Sequence, residues 1–486
     1  MPAPPSPAVL PLVVPPQHQC GTASGARARR DASTPGTTAG GRDHWKATAA
    51  AAAFRSLTGA TSRYVPAVAV LAVAVFVAAL AAIALEWTHR TKVALLGAAV
   101  VVVAGVLEEH AAIEAVDWST LGLLVGMMII VGLTERTGVF TYIALRVAQL
   151  SGGRPMRLVF LLALVTGVMS AFLDNLTAIL LVVPITLLLA DLLRVSPIPL
   201  VLVEVLASNI GGTATLIGDP PNIMIGSARP ELSFLDFIVN LAPVSFFTLL
   251  TVTAGLALAF RKQLVVAPER TGEVARLDPA ADMRGAPYVK RSLAVLLGTI
   301  VGFFLHAPLH LEPAVVALAG ATVMLLVAAD DVENALERVE WSTIFFFIGL
   351  FVMVGGLEER GVIDRVAEGF ASVTGGSRTL EALVILWGAA VGSAVVDNIP
   401  FTAAMIPVVD SLQGDGFDDA TWWALALGAC FGGNATIIAA AANVAASGVL
   451  ERSGKPISFL RFLAVGVPAT AASLVIATVY LMIFQL

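Results

Sequence analysis

One segment of this chain is written twice. The first copy reads Leu173-Asp174-Asn175-Leu176-Thr177-Ala178, and the second Val396-Asp397-Asn398-Ile399-Pro400-Phe401-Thr402-Ala403. Each is followed by a glycine pair, Asn209-Ile210-Gly211-Gly212-Thr213-Ala214-Thr215 and then Phe431-Gly432-Gly433-Asn434-Ala435-Thr436. The spacing is kept far outside the motifs. Trp118 matches Trp341 (341 − 118 = 223), Gly152 matches Gly375 (375 − 152 = 223) and Asp174 matches Asp397 (397 − 174 = 223). Past the aspartates the offset slips to 221, since Gly211 matches Gly432 and Asn222 matches Asn443 (443 − 222 = 221). A constant offset over that much chain means two structural repeats, and such symmetry decides the architecture.

The surroundings of the motifs decide where those repeats sit. The chain has 486 residues, 57% hydrophobic and 13% charged. Globular proteins carry about 25% charged residues. Apolar runs at 64–85, 91–107, 292–305 and 462–486 are long enough for membrane spans or most of one. The chain therefore reads as an all-α polytopic membrane protein whose partner is the lipid bilayer, placed in the plasma (inner) membrane. A net charge of −6, spread over loops, gives no sign of a nucleic-acid partner.

Four segments follow from composition. Residues 1–62 are rich in Pro, Ala, Gly, Thr and Arg and read as a disordered extension. Pro11 interrupts their one apolar stretch, and no basic region precedes it, so a signal peptide is not expected. Residues 63–260 form transmembrane repeat 1 and residues 291–486 repeat 2. Residues 261–290 mix Arg, Glu and Asp and read as a solvated connecting loop. Of the two cysteines, Cys20 lies in the extension and Cys430 in an apolar run, so no structural disulfide is expected.

Each repeat has the same order. Two or three apolar spans come first, then an amphipathic stretch at 139–150 or 362–373. An apolar pair with a polar tip follows, at 157–193 or 380–412. A glycine-interrupted span comes next, at 200–225 or 423–449, and a long span closes the repeat, at 234–260 or 459–484. The Asp-Asn tip divides its apolar run into arms of about 17 residues, the lower limit for a full crossing. No Lys or Arg anchors the tip, so a re-entrant hairpin is expected. Non-helical backbone at that depth is tolerated only where it lines a cavity or is buried in protein. Thr177 and Thr402 should lie in the first turn of the returning arm, where a hydroxyl caps backbone or ligates an ion.

The glycine-interrupted spans supply the other half of each site. Gly211, Gly212 and Gly218, with Pro220 and Pro221, cannot continue one helix without a cost of several kcal/mol. Unwinding there exposes backbone carbonyls and amides beside Asn209, Thr213, Thr215, Asp219 and Asn222. The second copy keeps Gly432, Gly433, Asn434, Thr436 and Asn443 but has Ala440, Ala441 and Ala442 where the first has Asp219 and its prolines. Paired interrupted helices at membrane depth are the signature of a transporter that works by alternating access.

Charge is the sharpest chemical signal. No Lys, Arg or His occurs in 158–193 or in 379–451. The ionisable groups expected at depth are acidic: Asp174, Asp397, Asp219 and Glu204. Unpaired by a base, buried carboxylates must bind a cation or a proton, and desolvation should raise their pKa values. The plainer alternative is that each aspartate caps a helix N-terminus, and that Glu204 is structural.

The hairpin tips and the segment Asn209 to Asn222 resemble the ion-transporter superfamily. Within it they are most similar to the branch of arsenite permeases, NhaD-type Na+/H+ antiporters and the melanosomal P protein. Trp422-Trp423-Ala424-Leu425-Ala426-Leu427-Gly428-Ala429-Cys430 resembles the P-protein group in particular. The resemblance covers residues 64–486. It implies two inverted repeats, each with a re-entrant hairpin and a broken helix. It also implies a site between tips and breaks, with Asp174, Asn175 and Thr177 facing Asn209, Thr213 and Thr215. In the second half-site Asp397, Asn398 and Thr402 would face Asn434, Thr436 and Asn443. The substrate would be a small inorganic ion, with H+ or Na+ as coupling ion, no other cofactor and no enzymatic activity. By analogy a homodimer is expected.

Three substrate readings stay open. Proton-linked arsenite or antimonite efflux ranks first, with Cys430 as a candidate soft ligand. Na+/H+ antiport suits the aspartates equally, and an organic-anion carrier of the citrate or dicarboxylate kind is third. An intramembrane aspartyl protease is disfavoured, because Leu216 stands where its Gly-x-Gly-Asp motif needs glycine. His306 and His310 have metal-pair spacing, but Pro308 between them points to a loop.

Overall fold

The computed structural model describes residues 66–486, except 282, 284, 328–331 and 414–418. The extension expected at 1–62, with Cys20, lies outside the described residues.

Twenty α-helices and no strands occur among the described residues. The first ten are α1 Pro66–Ala84, α2 Arg90–Val103, α3 Glu109–Glu114, α4 Trp118–Glu135, α5 Val139–Leu150, α6 Pro155–Phe172, α7 Asn175–Leu193, α8 Pro197–Gly212, α9 Pro220–Ala228 and α10 Phe234–Phe260. The second ten repeat that order: α11 Ala286–Leu305, α12 Pro313–Val327, α13 Val332–Leu336, α14 Trp341–Glu359, α15 Val362–Thr374, α16 Arg378–Val396, α17 Asn398–Gln413, α18 Asp419–Gly432, α19 Ala441–Arg452 and α20 Phe459–Phe484. Nine of the described helices are long and apolar enough to cross a membrane. Val70 on α1 and Leu460 on α20 are largely exposed, as lipid-facing side chains would be.

The duplicated spacing has a packing cause. Helix α2 packs on α14, and α12 packs on α4, so each half lends its second helix to the other. Both crossings close on a glycine. A Cβ on Gly126 would lie 2.7 Å from the Ala317 backbone, and one on Gly349 would lie 2.6 Å from that of Ala94. Gly126 and Gly349 are 223 apart, as are Ala94 and Ala317. A second pair of crossings joins α6 to α8 and α16 to α18. There Gly211 meets the Gly167 backbone, and Gly432 meets that of Ala390. Only small residues let helices approach this closely.

The polar-tipped pairs form two antiparallel helical hairpins, α6–α7 and α16–α17. Pro184 and Pro407 lie inside the returning arms at equivalent points, and the helices continue through them. The glycine-interrupted spans are broken as expected. The first is non-helical between α8 and α9, and the second has only a short 3₁₀ turn, Ile437–Ala439, between α18 and α19.

The connector departs from expectation. Helix α11 begins inside it, at Ala286. Residues 261–285 are not merely solvated, because Val274 is fully buried against Leu145, Leu158 and Leu189. His306 lies just past α11 as a capping residue. Its ring accepts from the Phe234 amide at 3.1 Å and bonds the Leu311 carbonyl, so it is engaged in fixing the turn.

Candidate functional site

The two tips are built differently, and one residue is the reason. Asp174 is the N-cap of α7 in ordinary extended geometry. Its carboxylate accepts from the Thr177 amide at 2.8 Å and from the Thr177 hydroxyl. Three residues beyond Asp397 stands Pro400, which has no N–H to give. Asp397 instead takes the Ile399 amide at 3.1 Å, and its backbone lies at φ 125°, a conformation that disfavours side chains. Its other oxygen accepts from Arg90 Nη1 at 3.2 Å. The expectation that both aspartates lack a basic partner is therefore corrected for Asp397. The base comes from the start of α2, 307 residues away in sequence.

The breaks are held open by their own amides. Asn222 donates to the Thr213 and Thr215 carbonyls at 3.0 and 2.8 Å. In the second copy Asn443 donates to the Gly433 and Thr436 carbonyls, both at 2.7 Å. Thr215 and Thr436 each donate a hydroxyl to a hairpin arm, at Ala171 and Ala394 respectively. The hydroxyls of Thr213 and Thr402 bond the carbonyls one helical turn back, of Asn209 and Asn398. These groups satisfy exposed backbone and fix the shape of the breaks.

Tips and breaks meet at Asp219, which is fully buried. One carboxylate oxygen accepts from Asn175 at 3.4 Å and from Asn398 at 3.1 Å, so a single residue joins both tips. The other oxygen accepts from no N–H or O–H among the described residues, and the Cys430 thiol stands beside the carboxylate. Asn209 makes a second bridge. It accepts from Asn175 at 3.2 Å and donates to Asn434 and Asn443 at 3.0 and 2.9 Å. The two separate half-sites of the sequence reading are thus one continuous network, because Asp219 and Asn209 of the first repeat reach the second.

A cavity of about 30 Å³ opens on this network. Asp174, Asn175, Asp219 and Asn398 line it, with Arg90, Glu340 and Thr343. Of the residues expected to bind an ion, the first four reach the cavity. Thr177, Asn209, Thr213, Thr215, Asn222, Asp397, Thr402, Asn434, Thr436 and Asn443 are not in its lining. Gly211, Gly212, Gly218, Gly432 and Gly433 lie at the breaks, where neighbouring backbone passes within 3.1 Å of any added Cβ.

Arg90, Glu340 and Thr343 were missed from sequence. Glu340 precedes Trp341 as Asp117 precedes Trp118, so the repeated Trp-Ser-Thr motif was the available signal. Each acid receives the hydroxyl of a threonine three residues on, Thr120 or Thr343. Outside the spans, burial pushes the Glu340 carboxyl above its usual range, and the Asp174 charge adds to this. Thr343 and Arg90 pull the other way.

Two expected participants do not line the cavity. The fully buried Cys430 thiol donates to Asn222 Oδ1 at 3.7 Å and stands beside the Asp219 carboxylate, outside the cavity lining. Glu204 is fully buried between α7 and α8, with the Thr186 hydroxyl on one oxygen.

Residues 80–428 match the family described as citrate transporter, CitMHS. The chain belongs to that family. It is 43% identical to an uncharacterized transporter of Mycobacterium tuberculosis, over 85% of this chain and 97% of the relative. The 46 kDa membrane protein of Mycobacterium leprae is 38% identical over 85% and 98%. The mouse P protein is 34% identical over 85% of this chain and 60% of its own length. The crystal structure of the Alcanivorax borkumensis YdaH transporter aligns with 74% of this chain and 84% of that one, at a TM-score of 0.48 and 15% identity. The protein is an integral, multi-pass membrane transporter and not an enzyme.

Proposed function

We propose that this transporter exchanges a small hard cation, Na+, against protons at Asp174 and Asp219, in the plasma membrane. The observation that carries this is the Asp219 carboxylate. It is fully buried, shared by the tip asparagines of both hairpins, and left with one oxygen that accepts from no N–H or O–H among the described residues. A carboxylate so placed holds either a proton or a metal cation. The polar lining is carboxylate, amide and hydroxyl oxygen, with Arg90 the one cation. Hard oxygen donors suit hard cations.

The same geometry supports the architecture. Two tips that meet on one residue, each beside a broken helix, fit hairpins entering from opposite faces and repeats inverted relative to each other. Rocking one hairpin against its break would expose Asp219 to one side at a time.

Arsenite efflux has less support, since Cys430, its candidate soft ligand, bonds Asn222 and stands beside Asp219 without lining the cavity. An organic anion has one observation in its favour: Arg90 lines the cavity, and a guanidinium is the natural partner of a carboxylate. A volume of about 30 Å³ admits an ion and no tricarboxylate in this state.

The test is proton movement in everted vesicles, read with a pH-sensitive dye on adding Na+, arsenite or citrate. Na+-evoked proton flux that is lost in Asp174→Asn and Asp219→Asn is expected. Flux evoked by citrate alone, or arsenite uptake without a response to Na+, would refute the cation reading.

A further inference from the structure

The two halves of the site are duplicated in sequence but not in charge. Asp174 has no Lys or Arg partner among the described residues. Asp397 has Arg90, with the carboxylate 7% and the arginine 24% exposed. The arginine is held from behind by α14. Its guanidinium lies over the Phe346 ring, 5.2 Å from the centroid, and its Nη2 reaches the Thr343 hydroxyl at 3.5 Å. The next residue, Thr91, ties its hydroxyl to the Ser342 carbonyl at 2.7 Å. No second arginine repeats this arrangement, since the position 223 residues on is Pro313.

Asp397 is also the tip residue at φ 125°, and Pro400 offers it no amide of the kind Thr177 gives Asp174. Strain of this kind persists only where surroundings impose it, and it gathers at switch positions. The other charged groups around the pair are acidic: Glu340 on the approach to α14, Asp174 on the first tip and Asp219 between the tips.

We infer that Arg90 is a tethered counter-ion, occupying on Asp397 the place that a transported cation would otherwise take. The inference rests on the cation reading above and adds a residue that sets specificity. While the pair is closed, the acidic cavity offers a cation Asp174 and Asp219 but not Asp397. Opening the pair exposes a third carboxylate. Arg90 thus lowers the affinity of the site for a cation and makes the second tip answer to cation binding. As a positioning residue it acts through Asp397.

The experiment is Na+-driven proton flux in proteoliposomes of wild type, Arg90→Gln, Arg90→Lys, Asp397→Asn and the double variant Arg90→Gln/Asp397→Asn. Arg90→Gln should lower the Na+ concentration for half-saturation by about tenfold, within the range of ordinary site coupling. The maximal rate should not rise. Arg90→Lys keeps the charge but not the fork that reaches both Asp397 and Thr343, so its shift should be smaller and in the same direction. On Asp397→Asn, adding Arg90→Gln should shift half-saturation far less than it does on wild type, the remainder being the field of Arg90 on Glu340.

A folded Arg90→Gln protein with wild-type half-saturation would overturn the inference and leave the cation reading standing. So would loss of all flux in a folded Arg90→Gln protein, because that makes Arg90 a substrate ligand. If Arg90→Gln does not fold, Arg90→Met, which removes the charge but keeps much of the stem, takes its place, and a wild-type half-saturation there overturns the inference equally. Absence of Na+-evoked flux in wild type defeats the cation reading itself, and this inference with it.

Discussion

Replacing Asn209 with alanine tests whether the two repeats share one site. In the fold Asn209 accepts one hydrogen bond from Asn175 and donates two, to Asn434 and Asn443. Alanine removes all three. Each buried partner left unsatisfied costs about 1–3 kcal/mol. Asn175 keeps Asp219, and Asn443 keeps its two backbone bonds, but Asn434 already lacks a partner for its amide nitrogen. The cost should therefore lie towards the low end for two of the three, giving roughly 3–5 kcal/mol in total. In a chain of this length that corresponds to a melting midpoint lower by on the order of 5 °C. Thermal unfolding of the purified protein in detergent, followed by tryptophan fluorescence, reads it out. Trp422 and Trp423, fully buried on α18, report on the second repeat. Thr251→Ala, whose exposed hydroxyl bonds only its own helix, is the control. A midpoint for Asn209→Ala no lower than this control would show that the network does not join the repeats energetically.

Three further outcomes follow from the geometry. Gly211→Ala should fail to accumulate as folded protein, because its Cβ would meet the Gly167 backbone at 2.2–2.6 Å, whereas Gly255→Ala, with open space, should express normally; expression and gel filtration distinguish them. Glu340→Gln removes a negative charge from the cavity mouth and should raise the Na+ concentration for half-saturation. Because burial raises the Glu340 pKa, wild type and variant should converge as pH falls through that raised value and separate as pH rises above it; equal half-saturation at high pH would contradict this. Cys430→Ala should keep transport, and membrane-permeant maleimide should leave native Cys430 unlabelled, since the thiol is fully buried; mass spectrometry and flux check both.

Much of the fold was legible because the signals were periodic or duplicated. Helix α5 matches its expected amphipathic stretch, and α10 and α20 match the expected closing spans. The breaks were legible because glycine and proline act through the backbone alone. Pairings across the repeats were not legible, since nothing in local sequence says that Asn209 will meet Asn434 and Asn443. Arg90 was hidden for the same reason. It stands at the border of an apolar run, looks like an interfacial anchor, and reaches Asp397 only through the exchange of α2 onto α14. One clue was present but unread. Pro400 stands where the first copy has Thr177, and a proline there denies Asp397 the cap that Asp174 enjoys. The assumption that duplicated motifs make equivalent half-sites failed on that single N–H.

The central claim is that Asp219, shared by the two tips, is where a cation is held. Isothermal titration of the purified protein with Na+ tests it most directly, in wild type and in Asp219→Asn, which keeps the shape and one acceptor oxygen. Saturable Na+ binding in wild type and none in Asp219→Asn is the predicted result. Equal binding in both proteins, or binding of citrate but not Na+ by wild type, would contradict it.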